Sequence, residues 1–454
     1  MRLRLVPHGI FLVALIAARV ISTPTANIGY LALAAYALLG RTHAVRALGI
    51  SWFFTMLSPG IGPENVAFAS VGRYLVLAAA GISVFVRNGA IGSRLRFEVS
   101  KPVLISMMIG TFIVVHAIFV SPILDVSVLK ALTWTVAFAT LLSAWTGMSA
   151  NERQLLERQI FFALIFLMLV SLPLLGTGLG YLRNGVGFQG ILGHPQAFGP
   201  VMALLAAWLG SQILEQRRAP LYVFVLFFMA VTLIVLSATR TAGLALVLGL
   251  GTAVLAGRVI ARRRFRDYLP GLRDARVRWI LFVTIVGFIV TSPFWGSHLG
   301  AYIAKGTTHA TVANAYDESR GFLIEEMLSN IREHPLRGIG FGIASDPSDM
   351  VVDRDSVLGL PTGAPIEKGV TYLAIWEEVG LFGFLLVLAW LWMVVHRAAR
   401  YGGIAALAVC LTALFMNFGE STLFSPGGMG MLPLILIAWA ASGRPSKPKE
   451  AMRA

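Results

Sequence analysis

The sequence predicts an all-α polytopic integral membrane protein of about 12–14 transmembrane helices, with one long external loop carrying a short amphipathic helix. Three observations carry that prediction. Of 454 residues, 57% are apolar and 13% charged, with mean hydropathy +0.77, whereas charged residues make up about a quarter of soluble domains. Apolar runs of spanning or near-spanning length recur throughout the chain. Basic residues collect in every second connection between those runs, as in the cytoplasmic loops of a membrane protein.

Taken in order, MRLRLVPHG has a basic start but no small-residue cleavage site, so the run 9–22 reads as a retained first span. Runs at 27–39 and 44–58 are shorter than the roughly 20 residues that cross a bilayer, which makes the first pairs the hardest to count. Clearer runs follow at 66–86, 103–120, 128–147, 159–177, 197–213, 219–236, 240–257 and 279–294, and then, after a long polar interval, at 370–395, 402–417 and 427–441. Arg2 and Arg4, Arg41 and Arg46, the stretch 87–101, Arg153 and Arg158, Arg217 and Arg218, the stretch 258–278, Arg397 and Arg400, and the tail from Arg444 fall in alternate connections. Both termini are therefore expected on the cytoplasmic side, with the interval 293–369 outside. The chain divides into N-terminal transmembrane helices (1–178), transmembrane helices carrying the HPQ and TRT motifs (179–292), an external loop or cap (293–369), C-terminal transmembrane helices (370–441) and a cytoplasmic tail (442–454).

The net charge of +15 does not point to nucleic acid, because the basic residues lie in short loops rather than on one face. Cys410, the single cysteine, excludes an internal disulfide and reads as a buried thiol. No Walker loop, dinucleotide fingerprint, nucleophile elbow or metal motif is present, and no cofactor is expected.

The interval 293–369 reverses the charge balance: it holds ten of the 22 acidic residues against six Lys or Arg. It is long enough for a cap but too short for an independent domain with its own core. If 317–333 is a helix, Leu323, Ile324, Met327, Leu328 and Ile331 share one face, Glu325, Glu326, Arg332 and Glu333 point away, and Arg320 falls near the middle of the apolar face. HPLRGIGFG then forms a Pro/Gly turn that lets backbone approach a ligand or another segment, and 346–365 reads as a loop.

Arginines stand where the charge bias does not place them. Arg183, Arg240 and Arg320 lie at external positions, and Arg73 sits about two turns into a span on the same side. Each alone reads as an interfacial arginine snorkelling to headgroups. Several together suit a phosphate or diphosphate, which planar forked donors bind bidentately.

The segments RNGVGFQGILGHPQAFG, SATRTAGLAL, SRGFLIEEMLSNIREHPLRGIGFG and YLAIWEEVGLFGF resemble, in that order and spacing, the motif series of the bacterial O-antigen ligase and O-antigen or exopolysaccharide polymerase superfamily. The likeness covers about 180–390. It implies a metal-independent, inverting membrane glycosyltransferase in the bacterial inner membrane. The donor would be a glycan on undecaprenyl diphosphate presented at the periplasmic face; partners would be a glycan or lipid acceptor, membrane lipids and other polysaccharide-assembly proteins, with no nucleic acid. By the same likeness Arg240 and Arg320 grip the diphosphate; Arg183, Arg73 and Arg337 are further substrate-binding candidates. Aligning Leu373, Glu378 and Gly380 puts Gly369 and Val370 where ligases of this superfamily carry a His-Asn pair. That departure favours a polymerase over a ligase to lipid A core or protein. Glu367 and His194 join the catalytic candidates, with Lys368 and His334 as alternatives for the proton acceptor, and the sequence does not choose among them. A lipid-linked glycan transporter would also need many spans and external arginines, but such proteins carry paired half-repeats and ionisable or broken helices near the midplane, and neither is visible. A structural scaffold leaves the arginines unexplained.

Overall fold

The computed structural model describes residues 6–63, 68–87, 100–183, 185–261, 268–280, 282–283, 286, 321–354, 359, 361–363 and 368–443. Among them run fourteen helices of more than ten residues: α1 (Val6–Ile21), α2 (Thr23–Ala37), α3 (Arg41–Met56), α4 (Ala69–Ile82), α5 (Lys101–Val120), α6 (Leu124–Gly147), α7 (Ala150–Ser171), α8 (Pro195–Glu215), α9 (Leu221–Leu236), α10 (Arg240–Ala261), α11 (Phe322–Glu333), α12 (Thr371–Arg397), α13 (Gly403–Met416) and α14 (Met431–Ala441). All but α11 fall on the apolar runs of the sequence. Seven helical segments are long and apolar enough to cross a membrane, and α9 and α14 are shorter apolar helices. The run 279–294 lies largely outside the described residues.

The bundle is built around α8. Its apolar window is 83% buried, α9, α10 and α13 pack against it, and α13 is buried along almost its whole length. Small residues allow that closeness: a Cβ on Gly249 of α10 would overlap the Thr412 hydroxyl of α13. In α7 and α10 only 28% of the window is buried, and exposed Phe162, Phe166, Val247 and Leu255 give them the outward apolar face of helices that meet lipid. An aromatic cluster ties α5, α6 and α12 together. Trp134 meets Trp390 at 5.4 Å and Phe424 at 4.7 Å, and the two indoles donate to Leu423 O and Ser106 Oγ.

The two ends of the bundle differ in kind. At one end arginines close helix C-termini: Arg41 donates to Gly147 O (2.8 Å), Arg397 to Ala441 O (2.8 Å) and Gly443 O (3.1 Å), and Arg153 to Ser442 O (3.1 Å). These carbonyls have no partner within their own helices, and cations suit the negative end of the dipole. At the other end the long connections meet one another. Ser58 N–H donates to Ile191 O, Phe188 N–H to Leu236 O, and Thr371 N–H to Asn417 O.

In the cap, α11 follows its pattern with one exception: Met327 and Ile331 are buried, Leu323, Ile324 and Leu328 half-buried, and Glu325, Arg332 and Glu333 exposed, but Glu326, expected to point away, is half-buried on the side of Asp346, Asp349 and Glu377. The helix is described from Phe322; positions 317–320 of the expected helix, Arg320 among them, lie outside the described residues. The stretch expected as a loop holds a 3-10 turn, Pro347–Asp349, and an antiparallel ribbon of β1 (Asp353–Arg354) and β2 (Pro361–Gly363). An exposed ion pair from Arg354 to Asp125 ties that ribbon to the start of α6.

Two features escape the sequence reading, which sees no ionisable or broken helix near the midplane: α12 is interrupted at Gly380 (φ 68°, ψ −179°), and Lys130 lies within α6. The break is filled by the 335–340 turn. Ile339 and Gly340 N–H donate to the carbonyls of Glu377 and Glu378 (2.9 and 3.0 Å), and Leu381 N–H donates to Pro335 O (2.9 Å). Irregular backbone within a spanning helix persists only where protein satisfies it. Hydropathy missed the break because the run 370–395 stays apolar on average despite Glu377 and Glu378, and the turn that satisfies it lies about 40 residues upstream.

Candidate active site

Three polar segments converge at the end opposite the arginine caps. His194 precedes Pro195 at the start of α8 and caps that helix, with Nδ1 accepting from Gln196 N–H at 3.0 Å. An Nδ1 that accepts puts the proton on Nε2, so in this geometry the ring is a hydrogen-bond donor rather than a base. The turn 237–240 comes next. Ala238 has φ 54°, Ser237 and Thr239 hydroxyls share a hydrogen bond of 2.5 Å, and Arg240 opens α10, half-buried. Gly199 of α8 admits the turn: a Cβ there would overlap the Thr239 hydroxyl and lie 2.6 Å from Ser237 Oγ.

The third segment is 417–430, between α13 and α14. Asn417 is its hub, with Oδ1 accepting from Thr371 Oγ1 (2.9 Å), Thr422 N–H (3.1 Å) and Leu423 N–H (2.9 Å). Glu420 and Thr422 line a small cavity with Gln196, which places this loop beside the start of α8, and Gly419 packs on Thr241. The starts of α8 and α10 thus sit side by side. Each presents N–H groups and the positive end of a helix dipole, and Arg240 adds a full charge.

Arg73 of α4 reaches the same loop, its Nη1 donating to Gly427 O. It lines a water-sized cavity of about 20 Å³ with Ser51, Thr55, Tyr74 and Thr133. Arg183 is exposed, and its backbone N–H donates to Gln189 Oε1 at 2.9 Å. Arg337 is exposed too, and its carbonyl is held by His116 Nε2 at 2.6 Å. It lines a separate cleft of about 420 Å³ with Phe119, Asn330, His334 and Ser345, which shares no lining residue with the cavities beside Gln196 and Arg73. Glu367, like Arg320, lies outside the described residues. Its neighbour Lys368 is buried and ion-paired, with Nζ 2.6 Å from Glu377 Oε2 and 3.3 Å from Glu378 Oε1.

The structure therefore brings His194 and Arg240 to adjacent helix starts, connects Arg73 through the 417–430 loop, runs the loop that carries Arg183 past the same turn, with Gly187 packed on Ser237 and Pro195, and leaves Arg337 at a separate cleft. Sequence reasoning passed over Asn417, Lys130, Glu377 and Glu378. A lone lysine inside an apolar run was the available signal, since such a charge is retained only with a partner. Among the described residues, no three His, Cys, Asp or Glu side chains gather as a metal site would require.

Residues 224–388 match the family model described as O-Antigen ligase. The match runs from within α9 into α12 and takes in Arg240, α11, the 335–342 turn, Glu377 and Glu378. It is consistent with a member of the O-antigen ligase and polymerase superfamily, as the motif series indicated. No curated protein matches the chain.

Proposed function

We propose that this chain is a metal-independent, inverting membrane glycosyltransferase that polymerises glycan repeat units from an undecaprenyl-diphosphate donor at the periplasmic face. The family match supports the broader statement, an O-antigen ligase or related membrane glycan-processing function. The observation that carries the finer reading is the pairing of the α8 and α10 starts with Arg240 between them and the 417–430 loop. That arrangement suits an anion larger than one carboxylate.

In the proposed reaction an acceptor hydroxyl attacks the anomeric carbon from the face opposite the diphosphate. The bond from carbon to diphosphate oxygen breaks, the hydroxyl proton passes to a base, for which Glu367 is the candidate, and the lipid diphosphate leaves. Arg240 and Arg320 stabilise the charge that grows on the leaving oxygens, while His194 Nε2–H can donate to one of them. Fixed guanidiniums act here because they require no reorganisation as charge develops.

The test is glycan length in a strain lacking the chain. Single unpolymerised repeats support the proposal, and full-length lipid-linked chains that are not transferred onward indicate a ligase. Complementation with Arg240→Lys and Arg240→Leu should restore polymer in the order Arg, Lys, Leu, with leucine lowering the rate roughly 10²–10³-fold at equal expression. A leucine variant with normal yield and length would remove Arg240 from the reaction.

A further inference from the structure

At the foot of the cap, four charged side chains from three parts of the chain form one closed set. Every carboxylate oxygen of the Glu377–Glu378 pair has a partner. Glu377 Oε1 accepts from Asn330 Nδ2 of α11 (2.7 Å) and Oε2 from Lys368 Nζ (2.6 Å). Glu378 Oε1 lies 3.3 Å from the same Nζ, and Oε2 accepts from Gly342 N–H (2.8 Å). Two glutamates against one lysine leave a net negative charge in a nearly dry place, since the side chains of Lys368, Glu377 and Glu378 are 4%, 0% and 8% exposed. Lys130 of α6 completes the set by contact: a Cβ on Gly342 would overlap its side chain and lie 3.1 Å from its Nζ, which stands 5.7 Å from the Phe341 ring centroid.

We infer that Lys130, Lys368, Glu377 and Glu378 are positioning residues, a largely buried tetrad that sets where the cap stands over the bundle. The inference rests on the glycosyltransferase reading, and it says how that site is assembled. Asn330 fixes α11, whose N-terminal flank leads directly to Arg320 in sequence, and Lys368 fixes the residue next to Glu367. Gly342 fixes the turn that closes the break in α12. Of the two side chains most needed for the proposed chemistry, Glu367 is thus next to a tethered residue in sequence and Arg320 lies ten residues before one. The four oxygens of the glutamates are all engaged, three by hydrogen bonds and Glu378 Oε1 by the ion pair to Lys368, so the pair is built to hold the turn. Removing one member leaves a buried charge uncompensated, which is far worse than replacing a whole set by apolar groups.

The experiment is hydrogen exchange of the peptide 335–345 in the purified full-length protein, read beside polymer formation. In Lys368→Met, exchange of that peptide should rise roughly 10²-fold, polymer should fall with it, and Lys368→Arg should recover part of both. Should Lys368→Met not fold, judged by gel filtration in detergent, Asn330→Leu releases only α11 and should raise exchange across 322–333 while lowering polymer. Unchanged exchange in a folded Lys368→Met protein overturns the tetrad. Faster exchange with undiminished polymer overturns its positioning role, and lost polymer with unchanged exchange assigns Lys368 to the chemistry instead. If the chain proves not to polymerise glycan at all, the exchange result still decides whether the tetrad holds the turn, so the two readings fail separately.

Discussion

Gly380→Ala is the sharpest probe of how cap and bundle are joined. At φ 68°, ψ −179° the residue occupies a region open essentially to glycine alone, and a side chain there adds about 1–3 kcal/mol of strain. The new Cβ would also overlap the Leu336 carbonyl and come within 2.8 Å of Arg337 N, so the 335–340 turn must move. Moving it loosens three backbone hydrogen bonds, Leu381 to Pro335, Ile339 to Glu377 and Gly340 to Glu378, each worth ~1 kcal/mol when made. With partial retention of those bonds, the local loss is about 2–4 kcal/mol, or roughly a 30- to 10³-fold rise in the population of the opened turn. The assay places a cysteine at Ile343, which is fully buried, in a Cys410→Ala background, and measures its rate of modification by a water-soluble maleimide. Modification should accelerate by that factor when Gly380→Ala is added. An unchanged rate, with glycan of normal length, would show that the turn does not depend on the break in α12.

Other expectations can be checked independently. Gly199→Ala should push the 237–240 turn away from α8 and lower polymer yield at normal expression, because the added methyl would overlap the Thr239 hydroxyl; a fully active variant would detach Arg240 from α8. Glu326, on the cap, has its carboxyl held above the usual carboxylate range, first by burial and then by the neighbouring Asp346, Asp349 and Glu377. A raised acid favours its protonated form in the folded state, so its contribution to stability is present at low pH and lost as pH rises through the folded value. Thermal melts between about pH 4 and 7 should therefore show a slope that is reduced in Glu326→Gln, and identical slopes would refute the assignment. Cysteines introduced at exposed Ser348 and Arg278 should be labelled from opposite sides of the membrane, with an impermeant reagent on spheroplasts reaching only Ser348. Reaction at Arg278 alone would invert the orientation.

What hydropathy and period can express was readable in advance. The spans follow from unbroken apolar runs, and the face of α11 follows from 3.6-residue spacing, because each depends on neighbours in sequence. The adjacency of His194 and Arg240 depends instead on Gly199 meeting Thr239 across about 40 residues. Asn417 looks like an ordinary loop residue until Thr371 and Thr422 are seen to bond it. The tetrad is least visible of all: Lys130 and Lys368 are more than 200 residues apart, and nothing local to either names the other. The isolated charge of Lys130 was a clue to a partner, but not to which one.

The arginines that close α6 and α14 at the basic end carry a second consequence. The same side chains that would tell an inserting chain which way to face also serve, once it is inserted, as clasps between helices distant in sequence. These two duties make different demands. Orientation counts positive charge and accepts lysine, whereas Arg397 spans Ala441 O and Gly443 O with two nitrogens of one planar fork, which a single ammonium does not reproduce. Exchanging Arg41, Arg153 and Arg397 for lysine would then yield a protein threaded correctly through the membrane but looser at its basic end, separating the information for insertion from the information for assembly.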